Sequence, residues 1–328
     1  MSNKKLITIC IPTYNRSDRV TNLIKTLLSF ELNNEIEILV VDDYSSDNTF
    51  ESLSQFSDVP NVSVYRNQQN LSFARTKLKY FNLCKTEFLV EVADDDYLLK
   101  DGLLELLDLL PKLDVDFLST RWIDPDGSFH PGRGSDKVQD ISLTNLRGVS
   151  EHAVGCVYRA SIIRHSEKYI LKRLDQDCAL AFFWPQNILL CMAMLNNLTF
   201  VSCPILLGGY SQEGSAPSNF MDSNGNKYFS LTSSFNKYLG LKEFYEDMLE
   251  QFPESPLFDE LIILSNSHNL SLYNSIDDAL YMSDIIMGTN GLRDNFRVGS
   301  MRNFLNPFKF LQYFFWFMKA KLNTLWYK

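Results

Sequence analysis

Residues 7–16, ITICIPTYNR, join a short apolar run to a polar cluster, and residues 38–49, ILVVDDYSSDNT, repeat the pattern. A third segment, FLVEVADDDYLL at 88–99, places three consecutive aspartates after its apolar run. Short apolar runs bounded by polar residues predict buried strands. Apolar residues at helical spacing lie between these runs, so we expect right-handed crossovers and a mostly parallel α/β sheet covered on both faces.

The alternation of strands and helices extends outward from these segments. We predict strands over 6–11, 36–41, 62–66, 88–92, 116–122 and 199–207. We predict helices over 20–28, 49–56, 72–83, 101–110, 161–174 and 177–196. The polar segments 124–148 and 211–226 are predicted loops, and the chain beyond residue 236 is predicted to be helical. The sequence therefore predicts a sheet domain followed by a helical region near the C-terminus.

Composition excludes several classes of protein. The 328 residues carry a formal charge of −9 and a 45% apolar fraction, which are typical of a folded globular protein and argue against a nucleic-acid partner. Six single cysteines without a CxxC pair indicate a reducing compartment. We find no apolar run of about 18 residues, the length of a spanning helix. We therefore expect a cytoplasmic protein.

Polar clusters follow three of the predicted strands. They are the segment Pro12-Thr13-Tyr14-Asn15-Arg16, the segment Asp42 to Asp47, and Asp94-Asp95-Asp96. Ligands of open α/β sheets bind outside the carboxyl ends of the strands, where these clusters lie. Each cluster alone also fits an ordinary turn or a charged loop. Three of them at strand ends favour a binding site.

Three adjacent carboxylates repel one another unless a cation neutralises them. Their oxygen atoms suit Mg²⁺ or Mn²⁺, and Mg²⁺ usually completes its shell with phosphate oxygens. The chain lacks both GxGxxG and GxxxxGK[ST], the glycine-rich motifs that bind phosphates through the backbone. The sequence therefore predicts a metal site at Asp94, Asp95 and Asp96 that binds a diphosphate.

At this point the chain resembles the family 2 glycosyltransferases, which have the GT-A fold. The segments that carry the resemblance are 7–16, 38–49, 67–78 (NQQNLSFARTKL) and 88–99, in the family's order and spacing. Two positions depart from the family pattern: Ser72 replaces a frequent glycine, and Ala93 stands where an aspartate is often found. The resemblance is specific over residues 6–110 and fades beyond them.

The resemblance implies the residues of a nucleotide-sugar site. Those expected to bind the nucleotide diphosphate are Pro12, Thr13, Tyr14, Asn15, Asp42, Asp43, Arg75 and Asp94. In this interpretation Tyr14 stacks on the base, Asp43 accepts hydrogen bonds from uracil or ribose, and Arg75 reaches the diphosphate. For Arg75, an ion pair on a helix surface is the alternative.

A catalytic carboxylate is also implied, because an inverting transferase must remove a proton from the acceptor hydroxyl. The family often places acidic residues at a helix start 80 to 90 residues after the metal motif, which selects Asp175 or Asp177. The later segment Trp184-Pro185-Gln186-Asn187 resembles that helix start better, but its amides cannot act as a base. We prefer Asp177, with helix capping as its alternative role.

The C-terminal tail has a different character. Residues 301–328 alternate aromatic clusters with basic residues, and Asp294 is the last acidic residue of the chain. A basic aromatic helix is typical of contact with an anionic membrane surface, and packing on protein is the alternative. We therefore expect a catalytic domain over 1–230, with a nucleotide-sugar half (1–123) and an acceptor half (124–230), and a helical region over 231–328.

These observations lead to one functional prediction with two alternatives. We expect a metal-dependent inverting glycosyltransferase that is peripheral to the inner face of the cell membrane. It would move a sugar from a nucleotide-diphosphate donor, for which we expect a UDP-sugar, to a saccharide or lipid-linked saccharide acceptor. The alternatives are a sugar nucleotidyltransferase and an assembly subunit that binds sugar nucleotides without transferring the sugar.

Overall fold

A computed structural model of the chain describes residues 5–146, 149, 155–211 and 231–265. Its strands are β1 (Ile7–Thr13), β2 (Ile36–Asp42), β3 (Val62–Arg66), β4 (Phe88–Glu91), β5 (Tyr97–Leu98), β6 (Phe117–Ile123), β7 (Gln139–Asp140), β8 (Cys156–Arg159) and β9 (Phe200–Gly209). Its helices are α1 (Ser17–Leu28), α2 (Thr49–Leu53), α3 (Ser72–Leu83), α4 (Lys100–Leu109), α5 (Glu167–Asp175), α6 (Ala179–Phe183), α7 (Pro185–Leu195) and α8 (Leu231–Gln251). The predicted alternation of strand and helix in the first third is confirmed.

The strands form one sheet in the order β3-β2-β1-β4-β8-β6-β9-β5, with β7 paired to β9. The longer ladders, β1 with β2, β2 with β3 and β6 with β9, are parallel. Strand β4 pairs with β1 in parallel and with β8 antiparallel. The carboxyl ends of β1, β2 and β4 therefore meet at one edge of the sheet, where the three polar clusters begin.

Both faces of the sheet are buried, which explains the continuous apolar runs. Ile7, Ile9 and Ile11 of β1 join the apolar cluster that includes the buried faces of α1 and α4. Cys10, between two of them, joins the second cluster on the opposite face. This alternation follows the two-residue period of a strand. The described part of α8 packs into the second cluster through apolar residues such as Phe244 and Met248.

Two of the predicted helices are broken in the structure. The predicted helix over 177–196 is two helices, α6 and α7, because Pro185 forces Trp184 out of helical geometry (φ −130°, ψ 50°) and begins α7 itself. The predicted helix over 161–174 is a 3₁₀ segment, Ala160–His165, followed by α5.

The short strands β5, β7 and β8 were not predicted, and β7 lies inside the predicted loop over 124–148. Each has two to four residues, too few for a period-2 pattern to emerge. Strand β8 begins after Gly155, whose φ of +71° suits glycine. A β-carbon at this position would lie 2.4 Å from the Trp122 ring, so the close approach of β8 to β6 also requires glycine.

The predicted loop over 211–226 and the tail over 301–328 lie outside the described residues, apart from Ser211. The predicted division at residue 230 stays a prediction. Among the helices that the structure describes, none combines the length and the apolar character needed to cross a membrane.

Candidate functional site

The polar clusters predicted at three strand ends do meet in the structure. Thr13 at the end of β1 is paired in register with Asp42 at the end of β2, and the Asp43 N–H donates to the Thr13 carbonyl over 2.9 Å. The Thr13 hydroxyl reaches in the other direction and donates to Asp94 Oδ2 over 2.7 Å. Strand β1 lies between β2 and β4. Thr13 at its end thus links the acidic segments at the ends of those two strands.

Asp94 is the buried member of the aspartate triplet, with 4% of its surface exposed. Arg16 Nη1 donates to Asp94 Oδ1 over 2.6 Å, from the residue that precedes α1. Burial raises the pKa of Asp94, and Arg16 and Thr13 oppose that shift by stabilising the carboxylate. Arg16 belongs to the polar cluster after β1, but no pattern in the sequence indicates a separate role for it.

Asp95 shares the same positive charge. Its Oδ2 atom lies 3.1 Å from Arg16 Nη1 and 3.1 Å from Arg19 Nη1. Burial lowers the pKa of Arg16, but the Asp94 and Asp95 carboxylates raise it by more. The pKa therefore lies above its usual value, and the guanidinium stays charged. Two arginines of the α1 region therefore neutralise part of the repulsion among the aspartates.

Asp96 has a different environment. Burial, followed by the charges of Asp95 and Asp94, raises its pKa to about 7, although the Ser211 backbone N–H lowers it in part. Burial is thus the larger cause at Asp96, and the like-charge repulsion that the sequence pattern predicts adds to it.

The two aspartates at the end of β2 have distinct roles. Asp42 is fully buried, and its carboxylate accepts hydrogen bonds from the Ser45 N–H and hydroxyl and lies 3.3 Å from Arg66 Nε. It therefore shapes the loop that follows β2. Asp43 Oδ1 accepts from Asn67 Nδ2 over 2.7 Å and from the Leu71 N–H over 2.8 Å, which ties the loop before α3 to the site.

Two exposed tyrosines flank this edge. Tyr14 is 45% exposed, and Asn15 beside it has a φ of +53° and accepts from the Ser46 N–H over 2.7 Å. Tyr44 is 49% exposed and has a φ of +65°, with the Arg66 guanidinium 5.2 Å from its ring centroid. The loops after β1 and β2 thus hold each other and present aromatic faces to solvent. Tyr44 was missed because one tyrosine in a polar loop carries no pattern.

Ser72 explains one departure from the family pattern. It begins α3 with a φ of +70°, in the left-handed region that glycine adopts without strain. The Asn70 side chain accepts from the Ser72 N–H over 3.0 Å, so a local hydrogen bond supports this turn. The frequent glycine of the family is thus replaced without loss of the turn.

The candidate catalytic aspartates lie together at the end of α5. Asp175 Oδ1 forms an ion pair with Arg75 Nη2 over 2.6 Å, and the Asp175 side chain is 69% exposed. The helix-surface alternative for Arg75 is therefore the state seen in this structure. Asp177 is exposed, has a φ of +54° and precedes α6, which begins without a side-chain cap. Its capping alternative is thus not seen. Gln186, from the segment that resembles the family's helix start, lies buried in the first turn of α7.

A buried ion pair supports the acidic motif from the other side of β4. Lys77 of α3 and Glu91 of β4 are in contact, and each side chain is 1% exposed. The Lys77 ammonium also lies 5.3 Å from the ring centroid of Tyr158. This pair was not predicted, although Lys77 shares the helical spacing of the buried residues Ala74 and Phe81, and Glu91 interrupts an apolar strand.

The carboxylates of the triplet suit a divalent cation in donor chemistry. Among the described residues, no group of three or more His, Cys, Asp or Glu side chains converges in metal-binding geometry. Mg²⁺ needs only one or two carboxylates when phosphates supply other oxygens, however. Asp95 and Asp96 fit that requirement as adjacent, partly buried carboxylates, and a bound cation would offset both the burial and the like-charge repulsion that raise the pKa of Asp96.

Comparison with known proteins identifies the family. The family model of glycosyl transferase family 2 matches residues 8–181, which run from β1 into α6. The chain belongs to glycosyl transferase family 2. The predicted family is therefore confirmed over a longer stretch than the four segments that suggested it.

Curated relatives of this family 2 chain match parts of it. The poly(ribitol-phosphate) β-N-acetylglucosaminyltransferase TarS of Staphylococcus aureus is 22% identical over 169 residues, which are 51% of this chain and 30% of TarS. The abequosyltransferase RfbV of Salmonella typhimurium is 34% identical over 101 residues, which are 30% of each chain. The chain thus matches less than a third of the length of either relative.

Solved structures of similar shape confirm the GT-A fold class. TarS 1–349 in complex with UDP-GlcNAc aligns with a TM-score of 0.61 at 18% identity, over 82% of this chain and 73% of that one. The mannosyltransferase PcManGT of Pyrobaculum calidifontis, in complex with GDP-Man and Mn²⁺, aligns with a TM-score of 0.51 at 12% identity, over 99% and 88%. At these identities the likeness concerns the fold.

The Arg16 contacts generate a prediction about stability. Replacing Arg16 with Gln leaves Asp94 buried without its guanidinium, so we expect a loss of about 1–3 kcal/mol at pH 8. The folded-state pKa of Asp94 then rises further above its unfolded value. The loss is therefore full above that raised pKa and disappears below the folded-state pKa of Asp94 in the parent, where Asp94 is protonated in both folded proteins.

Urea unfolding of the parent and of the Arg16→Gln variant at pH 8, 6 and 4 measures this loss. Arg121→Gln is the matched control, because the Asp136 partner of Arg121 is 98% exposed and should contribute little. An Arg16→Gln loss that is no larger than the control, or that does not change with pH, would contradict the assigned role of Arg16.

Proposed function

We propose that this family 2 chain transfers a sugar from a nucleoside diphosphate donor to a saccharide hydroxyl, with inversion at the sugar carbon. The observation that carries the proposal is the meeting of Thr13, Asp43 and the aspartate triplet at the carboxyl edge of the sheet. Ligands of open α/β sheets bind at this edge. The UDP-GlcNAc bound to TarS supports a UDP donor.

The exposed and the anchored residues suggest how a donor would be held. Tyr14 offers an open aromatic face on which a base can stack. Asp43 is held by Asn67 and Leu71 through Oδ1, which leaves Oδ2 as an acceptor for the N–H of uracil or a ribose hydroxyl. The nucleoside would then lie between the loops after β1 and β2.

The diphosphate would lie over the aspartate triplet. We propose that Asp95 and Asp96 hold Mn²⁺ or Mg²⁺, as the Mn²⁺ in the PcManGT complex suggests for a protein of this fold. When bound, the ion would stabilise the negative charge that develops on the leaving diphosphate. Arg16 and Arg19 lie beside Asp95 and keep positive charge at this edge. Arg75 reaches the diphosphate only if it leaves Asp175.

The transfer step needs a base on the acceptor side. The acceptor oxygen forms a bond to the anomeric carbon as the bond from that carbon to the diphosphate oxygen breaks. The acceptor proton passes to a carboxylate, for which we propose Asp177. Its exposure at the break between α5 and α6 supports this role, whereas Asp175 is already paired with Arg75.

Membrane association is a separate part of the proposal. The basic aromatic tail over 301–328 lies outside the described residues, so its sequence alone supports contact with an anionic membrane. Such contact, on the inner face of the cell membrane, would bring the enzyme to a lipid-linked saccharide acceptor in surface glycan synthesis.

The donor site is tested by titrating the full chain with UDP and Mn²⁺ in a calorimeter. We expect Mn²⁺-dependent binding that Asp43→Ala weakens by about tenfold or more, because a hydrogen bond to a charged group is lost. Asp96→Ala should abolish the Mn²⁺ dependence. Asp58→Ala, an exposed aspartate after α2, is the matched control and should bind like the parent. Equal binding by all four proteins would remove the site from this edge.

The base is tested by steady-state kinetics with a donor and acceptor found active for the parent. We expect Asp177→Asn to lower kcat by about 10²- to 10⁴-fold with little change in donor KM, because the base accepts the acceptor proton in the transition state and does not bind the donor. Asp175→Asn is the control. Loss of turnover in Asp175→Asn alone would move the base to that residue. A parent that binds donor without any turnover would favour the binding-subunit alternative.

The tail is tested by ending the chain at Ser300 and measuring co-sedimentation with anionic liposomes. We expect loss of liposome binding and unchanged UDP binding, because every proposed donor contact lies before residue 100. Added salt should weaken binding by the full chain, since it screens the basic residues. If the full chain does not bind anionic liposomes at low salt, the tail contacts protein instead.

A further inference from the structure

A row of basic side chains lies far along the chain from the proposed donor site at the carboxyl edge of the sheet, which we call the donor edge. Arg164, Lys168 and Lys172 recur every four residues through the end of the 3₁₀ segment and into α5, and all three are exposed. With His165 they line a cavity of about 430 Å³ between α5 and α8, closed on the α8 side by Asp247 and Gln251. We call this cavity the α5 groove.

Three cations and one acidic residue, Asp247, line the α5 groove. Within the described ranges, Arg164, Lys168 and Lys172 form no ion pair, whereas Arg173 of the same helix pairs with Glu243. The carboxylate of the groove, Asp247, accepts a hydrogen bond from the Tyr169 hydroxyl over 2.5 Å. A chain with a net charge of −9 therefore keeps a concentrated positive surface at this place.

The position of α5 connects the groove to the proposed donor site. Helices α3 and α5 run antiparallel, because Asn82 near the end of α3 contacts Glu167 at the start of α5, while Arg75 near the start of α3 contacts Asp175 at the end of α5. The nine residues of α5 span about 13 Å. A linear ligand in the groove would thus run along α5 towards the donor edge.

The surroundings of the groove discriminate between anionic partners. A membrane contact inserts apolar side chains, and single-stranded nucleic acid stacks on exposed aromatic rings. Tyr169 and Met192 also line the groove, but Met192 is buried and Tyr169 is only partly exposed. The large hydrophobic side chains that are exposed in the described part of the chain lie elsewhere, and they are Tyr14, Tyr44, Leu104, Phe129, Val138 and Ile263. A concave wall with a cation about every 6 Å instead suits a narrow, flexible polyanion.

We propose that the α5 groove binds the phosphate groups of an anionic saccharide chain and holds that chain beside the donor edge. The guanidinium of Arg164 and the ammonium groups of Lys168 and Lys172 supply the donors for successive phosphate groups. The identity of the bound chain as the acceptor rests on the proposed transferase function. The binding of phosphate by the groove does not.

The test uses the full chain and inorganic polyphosphate of about ten phosphates as the probe. We expect the double variant Lys168→Gln, Lys172→Gln to bind polyphosphate at least about tenfold more weakly, because two cations near an anionic ligand are lost. The matched control is Lys25→Gln, Lys85→Gln, which changes two exposed lysines without ion pairs and gives the same net charge. We expect the control to bind like the parent.

Two further measurements make the outcome decisive. Calorimetry with UDP and Mn²⁺ on the same proteins should be unaltered, so failure of the donor site and failure of the groove are distinguishable. Vesicles of phosphatidylglycerol should bind both double variants equally. The proposal is overturned if the two double variants bind polyphosphate alike, or if the groove variant loses vesicle binding while it retains polyphosphate, which would make the groove a lipid contact.

Discussion

The site depends on how one buried carboxylate, Asp94, is kept charged. Burial of a carboxylate in a protein interior is costly unless hydrogen bonds and opposite charge offset the loss of water. Thr13 and Arg16 provide both, from the strand next to β4 and from the turn that begins α1. These contacts are possible only if β1 and β4 end at the same edge of the sheet. The parallel pairing of the two strands is therefore tied to the chemistry of the site.

The same principle operates on the other side of the acidic motif. Glu91 is buried three residues before Asp94, and Lys77 neutralises it from α3. Since α3 begins at the loop that holds Asp43, this ion pair fixes the position of the loop relative to β4. Removal of one partner from such a pair leaves an uncompensated buried charge. The aspartate triplet is thus positioned from both sides by cations that belong to neighbouring helices.

The sequence was most informative where a pattern repeats. Strands with both faces buried give uninterrupted apolar runs, so β1, β2 and β3 were predicted to within two residues at each end. Strand β8 was missed because four residues cannot show a period, and its place between β4 and β6 depends on a glycine contact distant in sequence.

The candidate site could be predicted only in part for a similar reason. Asp43 and the aspartates 94–96 stand out as polar residues directly after apolar runs. The roles of Arg16 and Lys77 come from contacts across 78 and 14 residues of sequence, and no local pattern encodes such contacts. The break at Trp184 was visible in principle, because Pro185 cannot continue a helix from the preceding residue.

The claim that the carboxyl edge holds a nucleoside diphosphate is tested most directly by a crystal structure of the full chain with UDP and Mn²⁺, with anomalous diffraction to locate the metal. We predict a manganese peak about 2 Å from a carboxylate oxygen of Asp95 or Asp96 and within reach of both phosphates, with uracil beside Tyr14 and Asp43. A nucleotide bound elsewhere on the chain, or manganese absent from the aspartate triplet while UDP is bound, would contradict the claim.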